Sequence, residues 1–256
     1  MDLLVEGTGR MFDFKDQVVV ITGGTRGIGR GISEAFLQSG ANIIATYHSN
    51  DEKAEEFKRD NIHFSKNIDL QKFDISDYAQ VERFFDYLDN KYHCINVLIN
   101  NAGVRKDAIL GLMPKDDWEK VIDVNLTGSF YMCKFAVKNM LQNHYGRIIF
   151  ITSPISRFGF KGQSNYGASK AGQIALSRSL SKELANHGIT VNCVSPGFVA
   201  TELIEDLNDA LVEQYKKMIP MKKFATPQQI AYGVLFMASR EADYISGTTL
   251  EINGGL

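Results

Sequence analysis

The sequence predicts an α/β fold built as one doubly wound parallel sheet with helices on both faces. Three observations predict it. Continuous β-branched runs such as Val18-Val19-Val20-Ile21 have the pattern of strands buried on both faces. Such runs alternate along the chain with segments of helical periodicity, as in repeated βαβ units. The first run passes directly into a glycine-rich turn, Thr22-Gly23-Gly24-Thr25-Arg26-Gly27-Ile28-Gly29, and then into a helix. A chain of 256 residues without linker, repeat or low-complexity stretch suits a single domain of this kind.

Composition narrows the class further. With 44% hydrophobic and 23% charged residues and a net charge of -2, the chain is globular, which excludes a nucleic-acid-binding polycation and an acidic disordered tail. No apolar run reaches membrane-spanning length, and Met1 to Arg10 lack the apolar centre of a signal peptide, so a cytoplasmic location is expected. Cys94, Cys133 and Cys193 are odd in number and widely spaced in apolar surroundings, which predicts buried free thiols. The histidines have no ligand spacing, and no metal is expected.

Residues 1–14 read as an irregular extension and 15–256 as the folded domain. A helix is predicted over Arg30 to Gln38, closed by Ser39-Gly40. Strand, glycine turn and helix together make a phosphate site, because glycines allow close backbone approach and a helix N-terminus favours an anion. The pattern is T-G-x-x-x-G-x-G, from Thr22, Gly23, Gly27 and Gly29. Arg30-Gly31 stand where an NTPase loop needs Lys and Ser/Thr, and Ile32 replaces the last glycine of G-x-G-x-x-G. A tight strand-helix connection without a ligand is the alternative reading of such a turn.

A second strand, Ala41 to Tyr47, carries no acid at its end to bind a ribose 2'-hydroxyl. Tyr47 lies twenty residues beyond Gly27 and is followed by His48 and Ser49; with Arg26 in the turn, this end suits a 2'-phosphate and favours NADP(H) over NAD(H). Asp51 is the competing ribose ligand, but Asn50-Asp51-Glu52 reads as the start of a helix, Glu52 to Arg59. Asp69 to Phe73 is a third strand, and the helix Ala79 to Lys91 sets Val81, Phe84, Phe85 and Leu88 on one stripe. Strand four, Ile95 to Ile99, ends in Asn100-Asn101-Ala102-Gly103. In the helical region Trp118 to Asn143, Asn125 and Gly128 are locally unfavourable, which signals a kink or a functional amide.

Strand five, Arg147 to Thr152, delivers Ser153 to its carboxyl end. On the helix Ser164 to Asn186, Tyr166 and Lys170 lie one turn apart on one face, so a phenol and an ammonium share one space. A phenol needs a neighbouring cation to exchange protons near neutral pH, and Lys170 is placed to be one. Strand six, Ile189 to Val194, leads to Ser195-Pro196-Gly197. A helical insert, Thr201 to Lys217, is followed by the helix Pro227 to Ser239 and a last strand, Thr249 to Ile252. Leu203, Ile204, Leu207, Leu211 and Met218 form an apolar set on or beside this insert, able to cover an acyl group or simply to pack.

From residue 14 onward these motifs, in this order, resemble the short-chain dehydrogenase/reductase family. The likeness rests on Thr22-Gly23-x-x-x-Gly27-x-Gly29, Asn100-Asn101-Ala102-Gly103, Asn125, Ser153 thirteen residues before Tyr166, Tyr166-x-x-x-Lys170 and Pro196-Gly197. Pro154 departs from the family pattern. Within the family the chain is most similar to bacterial 3-oxoacyl-[acyl-carrier-protein] reductases, over segments such as Asn100 to Asp107, Gly188 to Asn192 and Asn253-Gly254-Gly255.

The resemblance implies an NADPH-dependent reduction of a 3-oxoacyl thioester to the 3-hydroxyacyl thioester in fatty acid biosynthesis. Its alternative is another ketone or alcohol on the same fold. It implies that Tyr166 is the general acid, that Lys170 supports it and holds the cofactor ribose, that Ser153 bonds the substrate oxygen, and that Asn125 holds a water linking Lys170 to solvent. The NADP(H) contacts implied are Gly23, Thr25, Arg26, Gly27, Ile28 and Gly29 at the pyrophosphate, and Tyr47, His48 and Ser49 at the adenosine ribose. Asp74 and Ile75 are implied at adenine, and Asn101, Ala102 and Gly103 beside the ribose. Tyr166, Lys170, Pro196, Gly197, Val199 and Thr201 are implied at the nicotinamide. A homotetramer is implied, as is an acyl-carrier-protein-bound substrate, with Arg105, Lys106, Lys134 and Lys138 as candidate contacts of the acidic carrier.

Overall fold

The computed structural model of the chain describes residues 12–202 and 208–256. Their seven strands form one fully parallel sheet in the order β3-β2-β1-β4-β5-β6-β7. The strands are β1 (Val18–Ile21), β2 (Asn42–Tyr47), β3 (Ile68–Lys72), β4 (Val97–Asn100), β5 (Gly146–Ile151), β6 (Ile189–Pro196) and β7 (Thr249–Ile252). The order reverses between β1 and β4, which opens a crevice at their carboxyl ends where a ligand is received in folds of this kind. The predicted α/β, doubly wound class is the one observed.

Side-chain alternation along β1 builds the two layers. Val19 and Ile21 face a core shared with Ile32, Phe36 and Val234, whereas Val18 and Val20 face Phe84, Phe85, Leu88 and Met140. The first layer is made by α1 (Gly27–Gln38) and α9 (Pro227–Ala238), the second by α3 (Tyr78–Lys91), α5 (Gly128–Asn143) and α7 (Ser164–Leu184). The stripe Val81, Phe84, Phe85 and Leu88 is buried as predicted. Phe14, the end of the expected irregular extension, is fully buried and meets Phe36 edge to face with centroids 4.8 Å apart.

Several boundaries move. Helix α1 begins at Gly27, not Arg30, so the last glycines of the turn are its first residues. The helix α2 (Asp51–Asp60) is capped by Asn50, whose side chain accepts a bond from the Lys53 N–H. The long helix expected over Trp118 to Asn143 is three pieces: α4 (Lys115–Ile122), a π-helical turn (Asp123–Thr127) and α5. Here the predicted irregularity is real. A short helix α6 (Ile155–Phe158), started by Pro154, precedes α7. The insert after Gly197 is described only from its later part, α8 (Asp209–Met218), which Asn208 caps; Leu203, Ile204 and Leu207 lie outside the described residues. Cys133 and Cys193 are buried free thiols as expected, while Cys94 is half-buried.

Candidate active site

The glycine turn closes under β1 by close contact. A Cβ on Gly29 would lie 2.0 Å from the Gly23 carbonyl oxygen, so only glycine fits there. Asn101 braces the same turn from β4, its Nδ2 donating to the Thr22 and Gly23 carbonyls at 2.9 and 3.1 Å. The Thr22 hydroxyl in turn accepts the N–H groups of Asn101 and Ala102, both at 2.9 Å. Arg26 caps α1 with no side-chain bond, and the first turn of α1 holds no acid. The α1 N-terminus is thus left open to an anion, and the turn fits a dinucleotide pyrophosphate. Thr201 lies over it, its Cγ2 3.7 Å from where a Gly27 Cβ would be.

Across the crevice, Ser153, Tyr166 and Lys170 meet at the carboxyl end of β5. Ser153 and Lys170 are buried and Tyr166 half-buried. Burial pushes the Tyr166 phenol up; the Arg105 charge and the Ser153 hydroxyl pull it back, and Asp107 opposes them. Arg105 is therefore a cation acting on the phenol that the sequence did not single out for that task. Lys170 turns its ammonium elsewhere. Its Nζ lies 5.7 Å from the Tyr166 ring centre and donates to the Ile151 carbonyl at 2.7 Å and to Gln173 Oε1 at 3.1 Å. Burial away from any carboxylate contact brings Lys170 down to about 8.

Asn125 sits in the π-helical turn, fully buried. Its side chain accepts from the Val104 N–H at 2.8 Å and donates to the Val104 carbonyl at 3.0 Å and the Ser169 hydroxyl at 3.0 Å. Widening the helix by one residue frees the Asn125 main-chain carbonyl, which accepts from Ser129 and from Gln173 Nε2. Gly128 is required because a Cβ there would lie 2.8 Å from Ile75 Cγ1 and 3.0 Å from the Ile75 carbonyl oxygen. The unfavourable pair Asn125 and Gly128 thus buys a side chain aimed at the site and close seating of α5 on Ile75. Gln173, Ser169 and Ser129 were not singled out in the sequence, although Gln173 stands one helical turn from Lys170 on the same face.

The remaining predicted residues lie at or just beyond the carboxyl ends of β2, β3, β4 and β6. Tyr47 ends β2 beside Lys72, its register partner on β3, and Lys72 binds Asp51 at 2.6 Å. Asp51 is also a hydrogen-bond partner of the Tyr47 phenol, so this acid is engaged by its own helix start and neighbours. His48 and Ser49 are exposed, with His48 Nε2 3.6 Å from Asp74 Oδ2. Asp74 accepts from the Ser76 N–H and hydroxyl, and Ile75 is buried beside it. Gly103 comes near the catalytic wall: a Cβ there would be 3.6 Å from Lys170 Nζ. Pro196 and Val199 are buried and Gly197 half-buried at the end of β6.

An open glycine turn after β1 at the switch point, with a Ser, Tyr and Lys set at the carboxyl end of β5, two strands away, is the arrangement of a nucleotide-dependent oxidoreductase of Rossmann type. The family model described as enoyl-(acyl carrier protein) reductase matches residues 23–256. The 3-oxoacyl-[acyl-carrier-protein] reductase FabG of Chlamydia pneumoniae is 37% identical over 238 residues, covering 93% of this chain and 96% of its own. The protein of the same name from Buchnera aphidicola subsp. Schizaphis graminum is 40% identical over 243 residues, with 94% and 97% covered. That from Vibrio harveyi is 35% identical over 246 residues, with 95% and 98% covered. The chain belongs to this short-chain dehydrogenase/reductase family, whose members are oxidoreductases using a nicotinamide cofactor. No described helix is long and apolar enough to cross a membrane, and the described residues hold no group of His, Cys, Asp or Glu able to bind a metal.

Proposed function

We propose that the protein reduces a 3-oxoacyl thioester, carried on an acyl carrier protein, to the 3-hydroxyacyl thioester in cytoplasmic fatty acid synthesis. The observation that carries this reading is the meeting of Ser153, Tyr166 and Lys170 at the end of β5, across from the glycine turn. The bound nicotinamide cofactor supplies the hydride. Tyr166 gives its phenolic proton to the ketone oxygen, and Ser153 donates a hydrogen bond to the same oxygen as charge develops there. Lys170 is held through two of its three N–H donors, which leaves the third for a ribose hydroxyl. Asn125 fixes the loop after β4 against α7 through Val104 and Ser169.

We assign the cofactor as NADP(H). Arg26 is exposed at the turn and Asp51 is committed to Lys72 and Tyr47, so the end of β2 offers a 2'-phosphate a cation and offers a 2'-hydroxyl no free acid. The exposed Leu110, Leu112, Trp118 and Phe130 support a homotetramer, because apolar side chains at 69%, 81%, 37% and 45% exposure on neighbouring elements suit burial against further copies.

Acetoacetyl thioester with NADPH is the deciding assay, with NADH and with crotonyl thioester as comparison arms. The reading expects NADPH oxidation with the acetoacetyl substrate, faster than with NADH. Turnover of the crotonyl substrate alone would make the protein an enoyl reductase, as the description of its family model has it.

A further inference from the structure

Gln173 lies on α7 behind the catalytic pair, fully buried. Its amide is used at both ends. Oε1 accepts from the Lys170 ammonium at 3.1 Å, while Nε2 donates to the Asn125 main-chain carbonyl at 2.6 Å and to the Ser129 hydroxyl at 2.9 Å. Ser129 donates its own hydrogen to the Asn125 carbonyl at 2.7 Å, so its oxygen is free to accept. The network fixes which way the amide points, since a flipped Gln173 would set an NH2 against the ammonium and a carbonyl against another carbonyl.

We propose that Gln173 is a positioning residue of the catalytic set: its amide ties the Lys170 ammonium to the Asn125 carbonyl of the π-helical turn, holding the ammonium charged and in one orientation. The inference rests on the reading of Lys170 as a member of that set. Gln173 thereby links the Lys170 ammonium directly to the Asn125 main-chain carbonyl.

The groups facing the Lys170 ammonium support a strong effect. From α7 there is the Tyr166 ring at 5.7 Å, from β5 the Ile151 carbonyl, from β6 the Cys193 thiol, and from the π-helical turn and α5 the Asn125 carbonyl and Ser129 through Gln173. No carboxylate is among the groups that act on it, so two neutral acceptors carry the load of keeping a buried ammonium charged. Removing one of two is then felt in its titration.

The test is to titrate Lys170 directly by NMR of protein carrying labelled lysine, alongside the pH profile of ketone reduction. In Gln173→Met, which keeps the length and loses both polar ends, Lys170 should titrate about one pH unit lower than in the native chain. The upper limb of the reduction profile should move down with it, and kcat should fall about tenfold while KM for the ketone stays within about twofold. Gln173→Glu keeps an acceptor for Lys170 but loses the bond to Asn125, so its Lys170 should titrate at or above the native value. A Lys170 titration unmoved in Gln173→Met, or equal in both variants, would overturn the proposal. Should the Met variant not fold, a Lys170 that titrates lower in the Glu variant does the same. The NMR titration needs no substrate, so inactivity of the native chain on acetoacetyl thioesters would sink the proposed function and leave this test standing.

Discussion

The two walls of the crevice are built on opposite electrostatic plans. On the catalytic wall, Lys170, Gln173, Asn125, Ser129 and Ser169 are buried and joined by hydrogen bonds between neutral groups and a single ammonium. On the wall proposed for adenosine, Lys72 with Asp51 and Lys120 with Asp74 are paired charges near the surface, and His48 Nε2 lies 3.6 Å from Asp74 Oδ2. A buried network is stiff and each of its members has high stakes, whereas exposed pairs are screened and contribute little apiece. In the function proposed here, the catalytic wall sets whether chemistry occurs and the adenosine wall sets which cofactor is preferred.

The sharpest way to break this comparison is at Tyr166. Tyr166→Phe keeps the ring and removes the acid, and is expected to lower kcat for acetoacetyl thioester reduction by more than about a hundredfold with the thermal midpoint little changed. Substantial residual turnover would remove the phenol from the mechanism. Lys170→Met should be nearly as damaging and should also weaken cofactor binding, which fluorescence titration with NADPH reads without turnover.

Next in size is Gly128→Ala. Its methyl would press on the Ile75 carbonyl, and the effect should appear as about 2 kcal/mol of lost stability in denaturant unfolding, because the neighbour is backbone and cannot swing aside. An unchanged unfolding midpoint would show that α5 seats on Ile75 less tightly than described here.

These two walls also differ in how far they could be read in advance. Strand positions, sheet class and the Val81, Phe84, Phe85 and Leu88 stripe were legible because periodicity follows directly from burial. Tyr166 and Lys170 were legible as a pair on one helix face and Ser153 as a residue at a strand end, but the roles assigned to them came from the family resemblance. From local propensity Asn125 and Gly128 were legible only as misfits, Asn125 being singled out otherwise by the family resemblance alone, and the π-helical turn shows how both are seated. Gln173 and Ser129 were not legible: the bonds from Gln173 to Asn125 and to Ser129 span 48 and 44 residues, and a buried glutamine looks in sequence like any polar residue on a helix. On the other wall, the helix start at Asn50 could be read from local chemistry, but the pairing of Lys72 with Asp51 could not, since it depends on the β2–β3 register.

On the adenosine wall, the expected effects are moderate. Arg26→Ala should reduce the preference for NADPH over NADH several-fold by raising KM for NADPH while leaving kcat within about twofold, because an exposed guanidinium offers screened attraction to a phosphate. An equal loss with both cofactors would place Arg26 at the pyrophosphate alone.

The smallest expected effect lies where the walls meet. Arg105 is exposed, its Nε 3.2 Å from Asp107 Oδ1, yet its charge favours ionisation of the Tyr166 phenol. Asp107 acts in the opposite sense, and Gln163 holds that carboxylate at 2.9 Å, so the pair is anchored to the start of α7. Taking away the cation in Arg105→Leu must raise the phenol further. In the alcohol-oxidising direction, which needs tyrosinate as the base, the rate at neutral pH should fall about threefold and recover as pH rises. In the ketone-reducing direction, which needs the phenol protonated and whose upper limb follows Lys170, the rate at neutral pH should be unchanged. A loss confined to the oxidising direction separates a charge effect on Tyr166 from a loss of substrate contact, which would lower both rates together at every pH.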